Sequence, residues 1–136
     1  MTNDQIVLIQ ISFEKVSPRA EAVAALFYER LFEIAPEIKK LFKTDMTAQG
    51  HKLMQMLDVV VANLSDLETV IPAIRELAIR HTGYGVTSEY YPFVGEALIW
   101  SLKKALDQDF TLAMEDAWAE AYLLLASTMI SAAEAA

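Results

Sequence analysis

The chain holds two histidines, His51 and His81, and their surroundings differ. His81 closes the helical stretch that runs from Ile71 through Arg80. Ala78, Leu77 and Ile74 lie three, four and seven residues upstream of it, so His81 falls on the apolar face. Gly83 and Gly85 follow and are expected to stop that helix. His51 lies two positions before Leu53, about 200° around a helix from it. It groups with Gln55 and Asp58, away from the apolar face of Leu53, Met54, Leu57, Val60, Val61 and Leu64, and is read as solvated. Gln49, four residues before Leu53 and eight before Leu57, does lie on the buried face. Tyr28 neighbours Phe27 in an apolar helix, Phe42 follows a short turn, and Tyr91 comes ten residues after His81.

An imidazole on the buried side of a helix needs a partner. By itself such a residue is more often a core histidine bonded to a carbonyl than a metal ligand. A single apolar-facing imidazole with a separate set of hydrogen-bond donors is also what a haem pocket requires: one nitrogen below the iron and donors above it. A buried tyrosine is usually a core residue whose hydroxyl reaches a carbonyl or the surface. Phe42 reads equally as a core anchor, and Gln49 as a polar residue near a helix end.

Composition narrows the remaining chemistry. There is no cysteine, which removes disulfides, thiolate catalysis and thiolate-bound metals. The net charge of −8 argues against nucleic acid or an anionic membrane as partner. The first fifteen residues carry Asp4 and Glu14 and lack the basic start and apolar core of a secretory signal. No run approaches the ~18 uninterrupted apolar residues of a membrane span. The expectation is one cytoplasmic domain over residues 1–136, long enough to bury a core.

The elements that must position these side chains read as helices throughout. With 54% hydrophobic residues and only 4 Gly and 4 Pro, breakers are few. A first helix is expected from a cap at Thr2, Asn3 or Asp4 through Val16. Ser17-Pro18 should restart the chain, with serine as N-cap and proline in the first turn. That helix should end before Pro36, which opens a turn to Phe42. After the polar break Lys43–Thr47 a long helix should run from about Ala48 to Asn63. Ser65-Asp-Leu-Glu68 matches a capping box ahead of the His81 helix. Ser88 should start a helix reaching Leu106 with Pro92 in its first turn, and Thr111 should cap the last.

Leu26-Phe-Tyr-Glu-Arg-Leu-Phe32, Pro36, Leu41-Phe42, Lys52-Leu-Met54, His81, Tyr90-Tyr-Pro92 and Ala117-Trp118, in this order, resemble the globins. The likeness is strongest to bacterial single-domain haemoglobins and to the globin domain of flavohaemoglobins, and it covers nearly the whole chain. It implies an all-α globin fold, helices packed around a buried haem b with His81 as proximal iron ligand. It makes Phe42 the ring on the haem face, Tyr28 and Gln49 the residues that hydrogen-bond the ligand, and Leu53 a wall of its cavity. Lys52 would reach a haem propionate or simply remain solvated. A distal glutamine, unlike a histidine, does not readily close onto the iron, so the sixth position is expected to be open. Tyr91 matches a tyrosine that buttresses the proximal histidine. The companion glutamate should lie fifteen residues after Trp118, where this chain has Ala133; Glu134 is one residue late, a step of about 100° around a helix.

Three functions follow from the resemblance. The first is reversible binding of dioxygen, carbon monoxide or nitric oxide for storage, delivery or scavenging. The second is nitric oxide dioxygenation. The chain shows no Gly-rich nucleotide fingerprint and no second domain, so that reaction would need an external reductase, with Arg80 a candidate at its docking edge. The third is a haem sensor or a haemless helical module acting through a partner. Monomer and homodimer remain open.

Overall fold

The computed structural model describes residues 1–42, 45–83 and 85–135. Lys43 and Thr44 of the expected polar break and the terminal Ala136 lie outside them. Among these residues run six α-helices: α1 (Asn3–Val16), α2 (Ala20–Ile34), α3 (Met46–Ala62), α4 (Ile71–Gly83), α5 (Tyr91–Leu106) and α6 (Leu112–Ala135). No strand occurs among the described residues.

The helix ends show which local signals win. Thr2 and Gln5 form a reciprocal capping box at α1, satisfying two amide donors that the first turn leaves open. Asp45 caps α3 through the Thr47 amide, and Thr111 caps α6 through the Met114 amide, each at 3.1 Å. Ser17 does not cap. The chain passes from α1 through a 3-10 turn at Ser17–Arg19 into α2 with no side-chain cap, because Ser17 keeps helical backbone angles and so cannot turn its hydroxyl back on the next turn. The expected capping box at Ser65–Glu68 is also absent. Ser65 is exposed, a 3-10 turn runs over Leu67–Thr69, and Thr69 bonds Asp66 instead, so α4 starts only at Ile71. Pro36 opens the 3-10 turn Pro36–Leu41, and Pro92 sits in the first turn of α5 where its missing amide costs nothing.

Packing proceeds in pairs. Helix α2 lies along α5, α4 along α6, and α1 and α3 brace α6 and α2. Trp118 of α6 ties α6 to α1: its Nε1 donates to Ser12 Oγ at 2.8 Å in a fully buried contact, with Phe13 tilted against the indole. Ser12 returns its own hydrogen to the carbonyls one turn back, so the serine is satisfied inside the core.

The buried apolar residues divide into two clusters. The larger gathers α1, α2, α3, α5 and the front of α6. The smaller is built on α4, with Val70, Ile74 and Ala78 against Met129. Helices α3 and α4 follow one another in sequence, yet α4 takes its main support from α6 and α3 takes its from α2 and α1. A small satellite cluster beside one main core is ordinary for a domain of this length. Helices α3 and α4 make little direct contact, and α4 is held chiefly by α6.

Candidate functional site

Small residues set the first half of the site. Helices α2 and α3 cross where Gly50 meets Ala24: a Cβ on Gly50 would stand 3.0 Å from the Ala24 Cβ. Tyr28 lies one turn after Ala24, and Gln49 immediately precedes Gly50, so this close crossing brings the two polar side chains together. Tyr28 is 7% exposed, and its ring is held edge-on by Phe27 at 4.9 Å and Phe42 at 5.4 Å, with Phe32 at 5.9 Å. Burial pushes the phenol up to about 12, and a hydrogen bond from the Gln49 side chain pulls the other way. Gln49 and Leu53 are half-buried on one face of α3, and Phe42 is half-buried where the 3-10 turn ends. Lys52 is exposed, so its side chain stands at the rim.

His81 supplies the second half. It is half-buried near the end of α4, and its Nδ1 lies 2.8 Å from the Leu77 carbonyl. A carbonyl only accepts, so Nδ1 carries the hydrogen and the neutral ring has its lone pair on Nε2. Burial lowers the pKa of His81, outweighing the opposing effect of the Leu77 bond, so the neutral ring is the favoured form near pH 7. Gly83 belongs to the helix rather than stopping it. The closure comes from Gly85, at φ +95, with the Val86 amide bonded to the His81 carbonyl at 3.0 Å. A Cβ on Gly85 would lie 3.3 Å from Leu41, which places the end of α4 beside the residue preceding Phe42.

Tyr91 opens α5 and packs against the α4 cluster of Ile74 and Ala78. Its carbonyl accepts a 2.6 Å hydrogen bond from the Tyr122 hydroxyl, and burial raises both phenols. Tyr122 went unread in the sequence. Its ring lies over Gly95, where a Cβ would stand only 2.6 Å from a ring carbon, and a tyrosine four residues after Trp118 on α6 was the available signal. Glu134 is exposed. His51 is exposed and pairs with Glu21 at 3.1 Å, as its polar register requires. Arg80 is exposed and engaged by Glu76. No described helix is long and apolar enough to cross a membrane.

Comparison with known proteins agrees with this fold. The family model named Globin matches residues 25–129. Flavohemoproteins of Vibrio cholerae and Chromobacterium violaceum are 26% and 30% identical over 133 and 126 residues, 96% and 90% of this chain. The chain spans about a third of the length of these relatives, 34% and 31%. Among solved structures, an engineered carbene transferase from a candidate nitric oxide dioxygenase of Rhodothermus marinus superposes with a TM-score of 0.91 at 28% identity, covering 99% of this chain and 94% of that one. A bacterial globin of Campylobacter jejuni gives 0.87 at 27% identity, covering 98% and 97%. With the family model covering α3 to α5 entirely and most of α2 and α6, the chain belongs to the globin family.

Proposed function

We propose that this globin holds a haem b between α3 and α4 and uses it to bind dioxygen and related diatomic gases reversibly. The observation that carries the reading is the Tyr28–Gln49 pair on one side of the divided core, with a neutral, carbonyl-oriented His81 on the other. The residues present fit the group. Phe42 and Leu53 offer apolar surface beside Tyr28 and Gln49, and His81 offers an oriented nitrogen. Bound haem supplies an iron to which a diatomic gas adds reversibly.

Each side chain then has a definite task. His81 Nε2 donates its lone pair, and the Leu77 carbonyl fixes the ring's tautomer and rotation. Tyr28 and Gln49 both offer a hydrogen to a polar ligand. With its pKa near 12, Tyr28 keeps that hydrogen across the physiological range. Phe42 and Leu53 exclude water, which strengthens any hydrogen bond made inside. Lys52, at the rim, can meet a propionate carboxylate. Tyr91 buttresses α4 by packing; a carboxylate companion, which would make His81 a stronger electron donor, is replaced by Ala133 and an exposed Glu134. That departure favours reversible binding over oxygen activation.

Nitric oxide dioxygenation with a separate reductase is the second reading, favoured by the likeness to the Rhodothermus protein. Repeated cycles between air and nitrogen separate the two. Full recovery of the starting absorption spectrum over many cycles supports the gas-binding reading. Rapid nitric oxide consumption that yields nitrate, sustained on added reductase, would favour the enzyme.

A further inference from the structure

A groove of about 320 Å³ runs between α1 and α3, on residues that take no part in the candidate site. Its volume falls within the range of small-molecule sites, about 300–1,000 Å³. The floor is apolar: Phe13 and Val61 line it and are only 5% and 6% exposed. Glu14 stands on the α1 side and Asp58 on the α3 side, both exposed. The ion pairs among the described residues lie elsewhere and leave both carboxylates unpaired. Lys15 and Arg19 are near in sequence but line neither wall.

The polar features of the groove favour a cation that donates hydrogen bonds. Gln10 donates its amide nitrogen to the Val61 carbonyl at 3.2 Å, which ties α1 to α3 and leaves the amide oxygen as an acceptor. The last turns of α1 and α3 both line the groove, since α1 ends at Val16 and α3 at Ala62. Helix C-termini carry the negative end of the helix dipole, which acts within the last turn. An inorganic dication gains nothing from the Phe13 and Val61 floor, and magnesium gives up its waters reluctantly. A monoamine leaves one of the two carboxylates unmatched. A methylene chain with an ammonium at each end matches both: its charges meet Glu14 and Asp58, and its stem lies on apolar surface as a lysine stem does.

We infer that the α1–α3 groove is a binding site for a linear aliphatic polyamine. The groove shares no residue with the haem site, so the inference stands or falls apart from that reading. Spermidine is the probe. It is titrated into the full-length protein in about 0.1 M salt, where exposed charges more than about 10 Å apart are largely screened, and backbone amide shifts are read by NMR. The expected result is saturable shifts confined to residues 10–18 and 58–62, with butylamine binding more weakly than spermidine. Removing both charges with Glu14→Gln and Asp58→Asn, at exposed positions that folding tolerates, should weaken binding several-fold. Ala62→Trp, which fills the groove from an exposed position, should abolish it. Shifts spread over the whole surface, or spermidine displaced by an equal concentration of magnesium, would reduce the attraction to the net charge of −8 and overturn the site. Unchanged affinity in both variants overturns it as well. No saturable spermidine shift, with a lysine-rich peptide binding in the groove instead, would also overturn it and assign the groove to a protein segment.

Discussion

Changing Tyr28 to phenylalanine removes one oxygen and leaves the ring in its cage, which separates packing from hydrogen bonding. The ring contacts with Phe27, Phe32 and Phe42, at 4.9 to 5.9 Å, do not involve the hydroxyl. The change therefore costs little packing; in the proposed reading it removes the donor to a polar gas ligand. A net hydrogen bond in a buried site is worth ~1–1.5 kcal/mol, which at RT near 0.59 kcal/mol is roughly five- to thirteenfold in a dissociation rate. Dioxygen, which becomes partly negative when bound, should leave about that much faster from the Tyr28→Phe protein. Carbon monoxide, which is far less polar when bound, should leave at nearly the same rate. Because the phenol ionises only near pH 12, the difference between the two ligands should be flat from pH 6 to 9. Stopped-flow displacement of each ligand in both proteins reads these rates directly. Equal acceleration of both ligands would mean that Tyr28 acts by shape, and no acceleration of either would remove it from the site; both results refute the reasoning.

Gly50→Ala should destabilise the protein by about 1–3 kcal/mol, the usual cost of overpacking, and should reproduce part of the Tyr28→Phe dissociation phenotype, since the new Cβ meets Ala24 at the crossing that joins Tyr28 to Gln49. Adding Ala24→Gly should return much of both losses in urea unfolding and ligand dissociation. Trp118→Phe should cost roughly 1–2 kcal/mol in the same unfolding assay, because it strips the donor that meets Ser12 in the core. Alkaline stability should fall as pH rises from about 10 to about 12. Over that window the unfolded tyrosine has begun to ionise while the folded Tyr28, raised to about 12, holds its proton, so stability present below pH 10 is lost through the folded value. Tyr28→Phe should shallow that slope, and an unchanged slope would show that Tyr28 does not contribute to it.

Periodicity in the sequence was enough to separate the two histidines. His81 shares a face with Ala78 and Ile74, and His51 shares one with Asp58, and in the structure the first is half-buried and the second exposed. The Thr111 cap was readable because its hydroxyl acts within its own turn. Ser17 and Ser65 carried equally good local signals and failed, because helical continuity through Ser17–Arg19 and the 3-10 turn before α4 decided the backbone there. The pairing of Tyr28 with Gln49 was expected only from family resemblance. Its physical cause, the contact of Gly50 with Ala24, depends on two helices distant in sequence and leaves no periodic trace. The division of the core, and the Tyr122 bond that fixes the start of α5, were unreadable for the same reason.

The most direct test of the central claim is the absorption spectrum of the protein with one equivalent of haem, reduced, before and after carbon monoxide, alongside His81→Gly with and without free imidazole. The account predicts a five-coordinate ferrous spectrum that shifts on carbon monoxide, its loss in His81→Gly, and its return when imidazole fills the vacated place. A six-coordinate ferrous spectrum would contradict the open ligand position beside Tyr28 and Gln49, and a His81→Gly spectrum identical to the starting protein would contradict His81 as the residue that holds the iron.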